Sequence, residues 1–276
     1  MLQVEIKYIF IINLFDNIFN MEKTKRLLAL LLTALILISC GKKSGKTSDS
    51  GLSASKQTSD RIGDYRDSII VETPALTPQT VKDIDGNVYN TLKIGNQTWM
   101  TKNLKTTRLN DGTSLELIKD GAIWASLTSP GYCWYNNDAA SYKGTFGALY
   151  NGYTVSTRKL CPTGWHVPGD VEWSTLITYL GGENIAGGKL KENSADFWVT
   201  PNTGANNESG FTAIPGGLRY HDGVFHDFGF SGYWWSSTEY SESRAYFRYM
   251  DYEYSNVFRF DNLKKLGFSV RCLRDY

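Results

Sequence analysis

The sequence predicts a loop-rich α+β fold in which twisted antiparallel sheets pack against one main helix. Three observations predict it. Strand-like segments with alternating apolar and polar residues follow one another after residue 211, whereas a single segment, residues 168–182, has helical periodicity. The third observation is the composition, with 26 glycines, 8 tryptophans and 17 tyrosines, which is typical of short strands and tight turns around an aromatic core.

The charges of the chain are balanced, with 29 Lys and Arg residues against 28 Asp and Glu residues. Binding to nucleic acid depends on a positive field that neutralises phosphates, so we predict no nucleic-acid partner. Residues 83–276 are long enough for one domain at about 100–200 residues per domain. We therefore predict a single folded domain over that range.

The first residues of the chain, 1–20, do not belong to that domain. They are apolar but interrupted by Glu5 and Asp16, and Met21 makes a better start. We interpret residues 1–20 as an upstream extension that results from a misplaced start.

Residues 21–39 have the order of a secretory signal peptide. A basic region (Lys23, Lys25, Arg26) precedes an apolar stretch that runs from Leu27 to Ile38. This stretch is shorter than the ~20 residues that a membrane-spanning helix needs. We therefore predict a signal peptide and not a transmembrane helix.

Cys40 follows this signal directly. Its context, Leu37-Ile38-Ser39-Cys40, resembles the bacterial lipobox, in which a small residue precedes the cysteine that is lipidated and becomes the first mature residue. Gly41 in place of Asp implies sorting to the outer membrane. We expect a lipoprotein whose partner is the membrane and whose domain lies on the periplasmic or extracellular face; the alternative is a plain secretory signal with a chance cysteine.

Residues 40–82 are rich in Ser, Lys, Gly, Thr and Asp. Such a segment has too few large apolar residues to offset the entropy cost of ordering. A flexible chain of ~40 residues has a root-mean-square reach on the order of 35 Å. We predict a linker that holds the domain clear of the membrane.

Two turns open the predicted domain, at Asp85-Gly86-Asn87 and at Gly95-Asn96, the second as a two-residue hairpin. A calcium loop is an alternative for the first, because Asp83, Asp85 and Asn87 match the first ligand positions of an EF-hand. The later positions do not match, since Val88 stands where glycine is needed and Ile94 where glutamate is needed. We therefore predict a turn.

The main helix is predicted within residues 168–182. Apolar residues recur at helical spacing, and acidic residues near the start favour the positive end of the helix. Gly181-Gly182 supply the stop. The apolar residues are Trp173, Leu176, Ile177 and Leu180.

From residue 211 onward the chain is predicted to form strands separated by turn-rich segments. The strand-like segments are FTAIPGGLRY, GVFHDF, GYWWSST, RAYFRYM, NVFRFD and GFSVRCLRDY.

A series of longer motifs stands in order along the chain: DIDGNVYNTLKIGNQTWMTKNLKTTRLNDGT, YCWYNND, GALYN, LCPTGWHVPGDVEW, IPGGLRY, WWSSTE and GFSVRCLRD. Together they resemble the Fibrobacter succinogenes major paralogous domain, a family common in lipoproteins of the Bacteroidetes and their relatives. The resemblance, from about Asp83 to Tyr276, implies a fold similar to those of C-type lectins and formylglycine-generating enzymes, with the two termini close together. One departure is Gly169, where a Ser helix cap is expected; glycine is tolerated there.

The domain contains three cysteines, Cys133, Cys161 and Cys272. In an oxidising compartment, three cysteines imply one bridge and one leftover thiol. The resemblance to the lectin-like fold implies a bridge between Cys161 and Cys272. Formylglycine-type oxidases use active-site cysteines, but no Lys, Arg or His adjoins Cys133 in the sequence to lower its pKa, so we expect a buried, inert thiol.

The three histidines are the other candidates for chemistry. If Asp222-Gly223 forms a two-residue hairpin turn, Arg219, His221 and His226 share one face, but a third metal ligand is missing. We expect His166 to be a structural residue. The sequence contains no Gly-x-Ser-x-Gly elbow, phosphate-binding glycine loop or His-Glu-x-x-His motif, and we predict no catalytic residue, no metal site and no cofactor.

Aromatic residues beside polar ones in predicted loops are the candidate ligand-binding residues. Aromatic faces stack on the apolar faces of sugars while amides and carboxylates bond hydroxyls; the alternative is that Trp134 and Tyr135 belong to the core and that the Tyr-rich loop is ordinary surface. The candidates are Trp134, Tyr135, Asn136, Asn137, Asp138, Glu239, Tyr240, Tyr252, Glu253 and Tyr254.

These patterns lead to one functional expectation with two alternatives. We expect an envelope lipoprotein that carries a non-catalytic, lectin-like binding or adhesion module for a glycan or a protein. The first alternative is a structural envelope or fimbria-associated component without a soluble ligand. The second is an enzyme related to the formylglycine oxidases, in which Cys133 would react fast with alkylating reagents.

Overall fold

A computed structural model of the protein describes residues 79–276, which form five α-helices, one short 3-10 helix (Tyr135–Asn137) and fourteen strands. The helices are α1 (Gly121–Ser126), α2 (Ala139–Tyr142), α3 (Gly152–Ser156), α4 (Asp170–Tyr179) and α5 (Glu183–Leu190). The strands are β1 (Thr80–Lys82), β2 (Val88–Ile94), β3 (Gln97–Met100), β4 (Glu116–Leu117), β5 (Gly131–Cys133), β6 (Leu149–Asn151), β7 (Trp165–His166), β8 (Gly216–Arg219), β9 (Phe225–Phe228), β10 (Ser231–Ser241), β11 (Arg244–Asp251), β12 (Phe258–Leu263), β13 (Gly267–Phe268) and β14 (Leu273–Arg274).

The predictions for residues 1–20, for the signal peptide 21–39, for Cys40 and for most of the linker lie outside the described residues. At the end of the linker the structure differs from the prediction, because β1 pairs with β2 and places Thr80 opposite Asn90. Val81 packs against the core. Residues 80–82, at the end of the predicted linker, are therefore part of the folded domain.

The strands form two sheets. The smaller has the order β1-β2-β3-β14-β7, and Leu273 of β14 lies opposite Trp99 of β3, so both ends of the domain meet in one sheet. The larger has the order β12-β11-β10-β8-β13-β6-β5-β4, with β9 paired to β8. The prediction of purely antiparallel sheets is corrected, because β8–β10 and β4–β5 are parallel pairs; the sheet-rich α+β class is confirmed.

Helix α4 is the predicted helix, and its apolar face is buried at Trp173, Leu176 and Ile177. Its N-terminus lacks a capping side chain at Gly169, but the Glu172 carboxylate accepts a hydrogen bond from the Gly169 backbone N–H at 2.7 Å, which satisfies one otherwise unpaired donor. Gly181 and Gly182 have positive φ angles of 104° and 98° and end the helix, as predicted.

A second packed helix, α5, was not predicted, so the expectation of one main helix is corrected. Its sequence, ENIAGGKL, contains two adjacent glycines that lower helix propensity. The structure shows why they are there: a Cβ atom on Gly187 would lie 2.3 Å from the Asn256 carbonyl oxygen, and one on Gly188 would lie 2.3 Å from that of Gly204. The helix exists because neighbouring backbone packs closely against its glycine face.

The core lies on both faces of β10. Because successive strand residues point to opposite faces, Trp234 and Trp235 enter two different apolar clusters, and both are fully buried. Trp235 packs on Phe247 and Phe268, whereas Trp234 shares its cluster with Trp173 of α4. The central strand is therefore covered on both sides.

The disulfide between Cys161 and Cys272 is present, as the family resemblance implied. It links the segment before α4 to the residue that precedes β14, across 111 positions of sequence. The bridge therefore joins the middle of the domain to its C-terminal strand.

The two predicted turns are also confirmed. Ile94 lies opposite Gln97, which makes Gly95-Asn96 a two-residue hairpin loop. In the first turn the Asp83 carboxylate accepts hydrogen bonds from the backbone N–H groups of Asp85 and Asn87. Burial raises the pKa of Asp85, but hydrogen bonds from Thr107 and Arg108 outweigh it and lower that pKa to about 2. The carboxylates of Asp83 and Asp85 therefore both accept hydrogen bonds from groups of the chain itself.

Candidate ligand-binding surface

The first group of candidate residues, 134–138, is structural. Trp134 and Tyr135 are 4% and 8% exposed and belong to the core clusters. Asn137 donates to the Lys119 carbonyl oxygen at 2.9 Å, and Asp138 caps α2 by accepting from the Ser141 N–H at 3.1 Å; only Asn136 is exposed. The two rings have no free face for a ligand, so the alternative stated for Trp134 and Tyr135 applies: they belong to the core.

The second group, Glu239 and Tyr240, lies near the end of β10. The Glu239 carboxylate accepts hydrogen bonds from Lys264 Nζ and Ser156 Oγ, both at 2.7 Å. The Lys264 bond is the main reason why the pKa of Glu239 is lowered. Tyr240 is half exposed, and its ring packs edge-on against Tyr246 with the centroids 5.6 Å apart.

The third group, Tyr252, Glu253 and Tyr254, follows β11. Tyr252 is buried against Phe230 and donates its hydroxyl to Glu253 Oε1 at 2.8 Å. Tyr254 is 49% exposed. Of the three side chains, Tyr254 therefore presents the largest ring surface to a ligand.

The second and third groups do not form one site. In the β10–β11 hairpin Ser231 lies opposite Asp251 at one end, and Ser241 lies opposite Arg244 at the other. Glu239 is near the second end, roughly 25 Å from the first at about 3.3 Å per residue. The structure therefore places these two groups of candidate residues at opposite ends of the hairpin.

The structure instead places Tyr254 in a group of four aromatic residues that are linked through Phe258, and the other three are not among the predicted candidates. We call Tyr249, Tyr254, Phe258 and Phe260 the aromatic strip. Phe258 and Phe260 alternate along β12 with ring centroids 6.2 Å apart and planes inclined by 16°. Tyr249 lies 5.4 Å from Phe258, and Tyr254 packs edge-on against Phe258 at 5.8 Å.

The strip lies on the face of the larger sheet that packs against the core, and it extends beyond the part of that face that the core covers. The register places Trp235 opposite Phe247, and Phe247 opposite Phe260, so these three rings share one face. Their exposure rises along this row, from 0% at Trp235 through 6% at Phe247 to 52% at Phe260. An aromatic row that begins in the core therefore ends at the surface, on the outermost strand.

Polar groups border the strip at the end of β11. Tyr249 donates its hydroxyl to Asp251 Oδ2 at 2.6 Å, and Ser231 donates to the same oxygen at 3.0 Å. Burial and the Asp251 carboxylate raise the pKa of Tyr249, so its hydroxyl stays protonated. The half-buried Glu253 adds a carboxylate next to Tyr254, and the surface thus combines ring faces with hydrogen-bonding groups.

Lys191, at the end of α5, holds the loop that carries Tyr254. It is fully buried, and its Nζ donates to the carbonyl oxygens of Thr203, Asp251 and Tyr254 at 3.0, 2.9 and 2.8 Å. The nitrogen also lies 5.2 Å from the centroid of the Trp198 ring. Burial lowers the pKa of Lys191 to about 8, so the side chain remains charged at neutral pH.

The sequence contained one signal for the strip, the alternation Phe258-Arg259-Phe260-Asp261. That alternation correctly predicted a strand with one apolar face. It did not indicate that the strand is the last of its sheet and that its apolar face is only partly covered. No sequence pattern indicated the role of Lys191, because a single lysine at a helix end is common.

Cys133 is the free thiol of the described domain and is buried. Burial raises the pKa of Cys133 to about 12 and outweighs the neighbouring Arg219 guanidinium, which acts to lower it. The sequence did not indicate this contact with Arg219. A thiol in this state is a weak nucleophile at neutral pH.

The two-residue turn at Asp222-Gly223, which was the condition for a shared face of Arg219, His221 and His226, does not form. Tyr220 N–H donates to the Val224 carbonyl oxygen and closes a three-residue loop in which Gly223 has a φ of 86°. The extra residue shifts the register, so Leu218 lies opposite His226 and Arg219 opposite Phe225. Arg219 is buried, and the predicted shared face does not form.

His166 is a structural residue, as expected. Its Nε2 lies 2.8 Å from Glu172 Oε1 and its Nδ1 lies 2.6 Å from Asp275 Oδ1. The hydrogen bond with Glu172 is the main cause of the raised pKa of His166. The cluster joins α4, β7 and the C-terminal residues.

Residues 79–276 contain neither a candidate metal site nor a candidate membrane-spanning helix. No group of three or more His, Cys, Asp or Glu side chains there is placed to hold a metal ion. None of the helices in this range has the length and apolar character needed to cross a membrane.

Comparison with known proteins identifies the family. A model of the Fibrobacter succinogenes major domain matches residues 92–274, from within β2 to the end of β14. No curated protein and no solved structure matches the chain. Since the match covers more than half of the 276 residues, the chain belongs to the Fibrobacter succinogenes major domain family.

Proposed function

We propose that the chain is a cell-envelope lipoprotein whose domain is a non-catalytic, lectin-like binding module, and that its ligand is a glycan that stacks on the aromatic strip. The observation that carries this proposal is the exposure of Phe260 and Tyr254, each about half exposed at the edge of the sheet. Apolar sugar faces stack on aromatic rings, and neighbouring carboxylates accept bonds from sugar hydroxyls. Glu253 provides such a carboxylate beside Tyr254.

The small size of the strip favours a glycan over a folded protein. A stable protein interface buries about 800 Å² on each partner, which is far more than four partly buried rings offer. Phe258 and Phe260 lie in nearly parallel planes, whereas Tyr254 is edge-on to Phe258, so the strip offers single ring surfaces on which individual sugar rings can stack. Lys191 and the Asp251 network hold the loop in place, so little ordering entropy is lost on binding.

The lectin-like assignment is part of the proposal. It is supported by the pairing of the C-terminal β14 with β3, which agrees with the expected close termini, and by the Cys161–Cys272 bridge, which the resemblance implied. Fold likeness alone does not determine function, so the binding claim depends on the strip.

The envelope location is supported by the lipobox-like sequence before Cys40 and by the polar linker after it. The Cys40→Ser variant tests it: the parent chain should partition with the membrane fraction, and the variant should not. Protease treatment of intact cells then distinguishes an extracellular from a periplasmic domain. If the variant partitions like the parent, the lipid anchor is refuted.

The glycan claim is tested with the full-length protein in mild detergent on a glycan array, followed by titration of a retained glycan. Phe260→Ala should weaken binding by roughly tenfold, because one stacking ring is lost. Tyr240→Ala is the matched control, since Tyr240 is similarly exposed but lies at the far end of the hairpin. Retention of no glycan, or equal binding by Phe260→Ala and the parent, would refute the claim and favour a structural envelope component.

A further inference from the structure

The outer edge of β12 is a second feature of the same strand. β12 is the last strand of the larger sheet and pairs on one side with β11. Within residues 79–276, no strand pairs with its other side. Backbone groups at such an edge are available for pairing with another chain.

The register shows which backbone groups point outward. Alternate residues of an antiparallel strand turn their N–H and C=O groups toward the same neighbour. Just beyond β12, Lys264 N–H donates to the Ser243 carbonyl oxygen of the β10–β11 turn. By alternation, Phe258 and Phe260 bond to β11, whereas Arg259 and Asp261 direct their backbone groups outward. The Asp261 carbonyl oxygen accepts a hydrogen bond from the Arg244 guanidinium at 3.0 Å, and its second lone pair can accept from another strand.

We infer that β12 pairs antiparallel with β12 of a second copy of this chain, around a two-fold axis at Phe260. In this register Arg259 lies opposite Asp261 of the second copy, and Asp261 lies opposite Arg259 of the second copy. The outward backbone groups of these two residues then meet in hydrogen-bonded pairs, and the side chains form two symmetric pairs of opposite charge.

Charge complementarity selects this register over its neighbours. An axis at Arg259 would place two arginines opposite each other, and an axis at Asp261 would place two aspartates opposite each other; like charges in these positions are destabilising. Both side chains are partly exposed, at 40% for Arg259 and 26% for Asp261. Charges on an edge strand usually prevent pairing, and here their order permits one register.

The pairing does not compete with the proposed ligand and does not depend on it. Strands join through their edges, so the face that carries Phe258 and Phe260 stays open. The two strips would then form one continuous surface across the axis. A short strand pair buries less than the roughly 1,600 Å² of a standard interface, so we expect a weak, concentration-dependent dimer.

A cysteine at the axis tests the pairing. Residues opposite each other in a non-hydrogen-bonded pair have Cα atoms about 4.5 Å apart, within the range of roughly 4.4–6.8 Å that a disulfide spans. Full-length Phe260→Cys, oxidised at rising concentration, should form a covalent dimer on non-reducing gels. The controls are the parent chain, which retains Cys40 and Cys133, and Val224→Cys, which is equally exposed on the β8–β9 loop.

Charge swaps in the Phe260→Cys background test the register. Arg259→Asp should lower the yield of dimer by roughly tenfold, since it changes two symmetric pairs at once, and adding Asp261→Arg should restore it. The internal partners Asp170 and Arg244 remain mismatched in the double variant, so a merely structural role would not give rescue. A native Cys161–Cys272 bridge confirms folding of each variant. No more dimer than with Val224→Cys, or no rescue by the double swap, would overturn the inference.

Discussion

The ammonium nitrogen of Lys191 lies 2.8 Å from the carbonyl oxygen of Tyr254, and this contact joins the end of α5 to the loop beside the aromatic strip. The same nitrogen also donates hydrogen bonds to the carbonyl oxygens of Thr203 and Asp251. The buried ammonium group of Lys191 therefore donates to three backbone carbonyl oxygens at once. It orders backbone that would otherwise leave polar groups unpaired.

Replacement of Lys191 by Met should therefore lower the free energy of unfolding by about 2–4 kcal/mol, because three buried carbonyl groups lose their donor. Amide hydrogen exchange should rise in residues 251–254. Lys189→Met is the control, since Lys189 is only partly buried and its ammonium nitrogen lies 3.3 Å from the exposed Glu208 carboxylate; its effect should stay below ~0.5 kcal/mol. Equal stability of Lys191→Met and the parent in urea unfolding would contradict this role.

Gly188 tests the close packing of α5. In Gly188→Ala the new Cβ would lie 2.3 Å from the Gly204 carbonyl oxygen, and relief of that overlap should cost about 1–3 kcal/mol, more than the gain in helix propensity. Gly144→Ala, where no atom lies within 4 Å of the added Cβ, should be neutral within ~0.5 kcal/mol. Thermal unfolding of both variants measures the difference, and a stabilised Gly188→Ala would show that α5 packs otherwise.

The His166 cluster predicts a pH dependence of stability. Because the folded protein raises the pKa of His166, its contribution is fully present below the ordinary pKa of about 6.5 and is lost as pH rises through the raised value. Burial raises the pKa of Glu172, but bonds from His166 and Gly169 outweigh it and lower that pKa, so the Glu172 contribution is lost only in acid.

The measurement is urea unfolding of the parent and of His166→Gln at about pH 5.5 and about pH 9. The difference between the two proteins should shrink by up to ~1 kcal/mol at the higher pH, a small amount because the cluster is partly exposed. His221→Asn serves as the control. A difference that grows with pH would contradict the assigned direction.

Cys133 should be unreactive in the folded protein. With its pKa raised to about 12 by burial, the thiolate fraction at pH 8 is on the order of 10⁻⁴. Iodoacetamide followed by mass spectrometry should show slow labelling in buffer and fast labelling in denaturant. Equally fast labelling in both would revive the alternative of a formylglycine-oxidase-like enzyme.

The disulfide should supply a large share of the stability. A bridge that closes 111 positions restricts the unfolded chain, so Cys161→Ala with Cys272→Ala should cost about 4–5 kcal/mol in the chain-entropy model. Cys133→Ala, which removes only a buried thiol, should cost roughly 1 kcal/mol. Chemical unfolding of the three proteins checks the order, and a smaller loss for the double variant would contradict it.

Local patterns predicted several elements correctly. Helix α4 follows from the spacing of Trp173, Leu176 and Ile177 and from the glycines that end it, and the β2–β3 hairpin follows from Gly95-Asn96. These features depend on residues close in sequence. Helix α5 was missed because its glycines disfavour a helix until the backbone of Gly204 and Asn256 packs on them.

The candidate site was predicted only in part, at Tyr254. Trp134 looked like a loop aromatic beside polar residues, but its ring lies in the core. The extra residue of the β8–β9 loop moved Arg219 to a buried position. In each case burial depends on what lies across the sheet, which neighbouring residues in the sequence do not encode.

The sequence by itself determined the α+β class, the main helix, most of the strands and the family, because periodicity, turn residues and motif order are local properties of the chain. Only the tertiary structure decided that β12 is the last strand of its sheet, that its aromatic face extends beyond the covered core, and that Lys191 holds the loop beside it. The physical reason is that exposure and buried hydrogen bonds arise from contacts between residues far apart in the chain, as in the Lys191–Tyr254 bond.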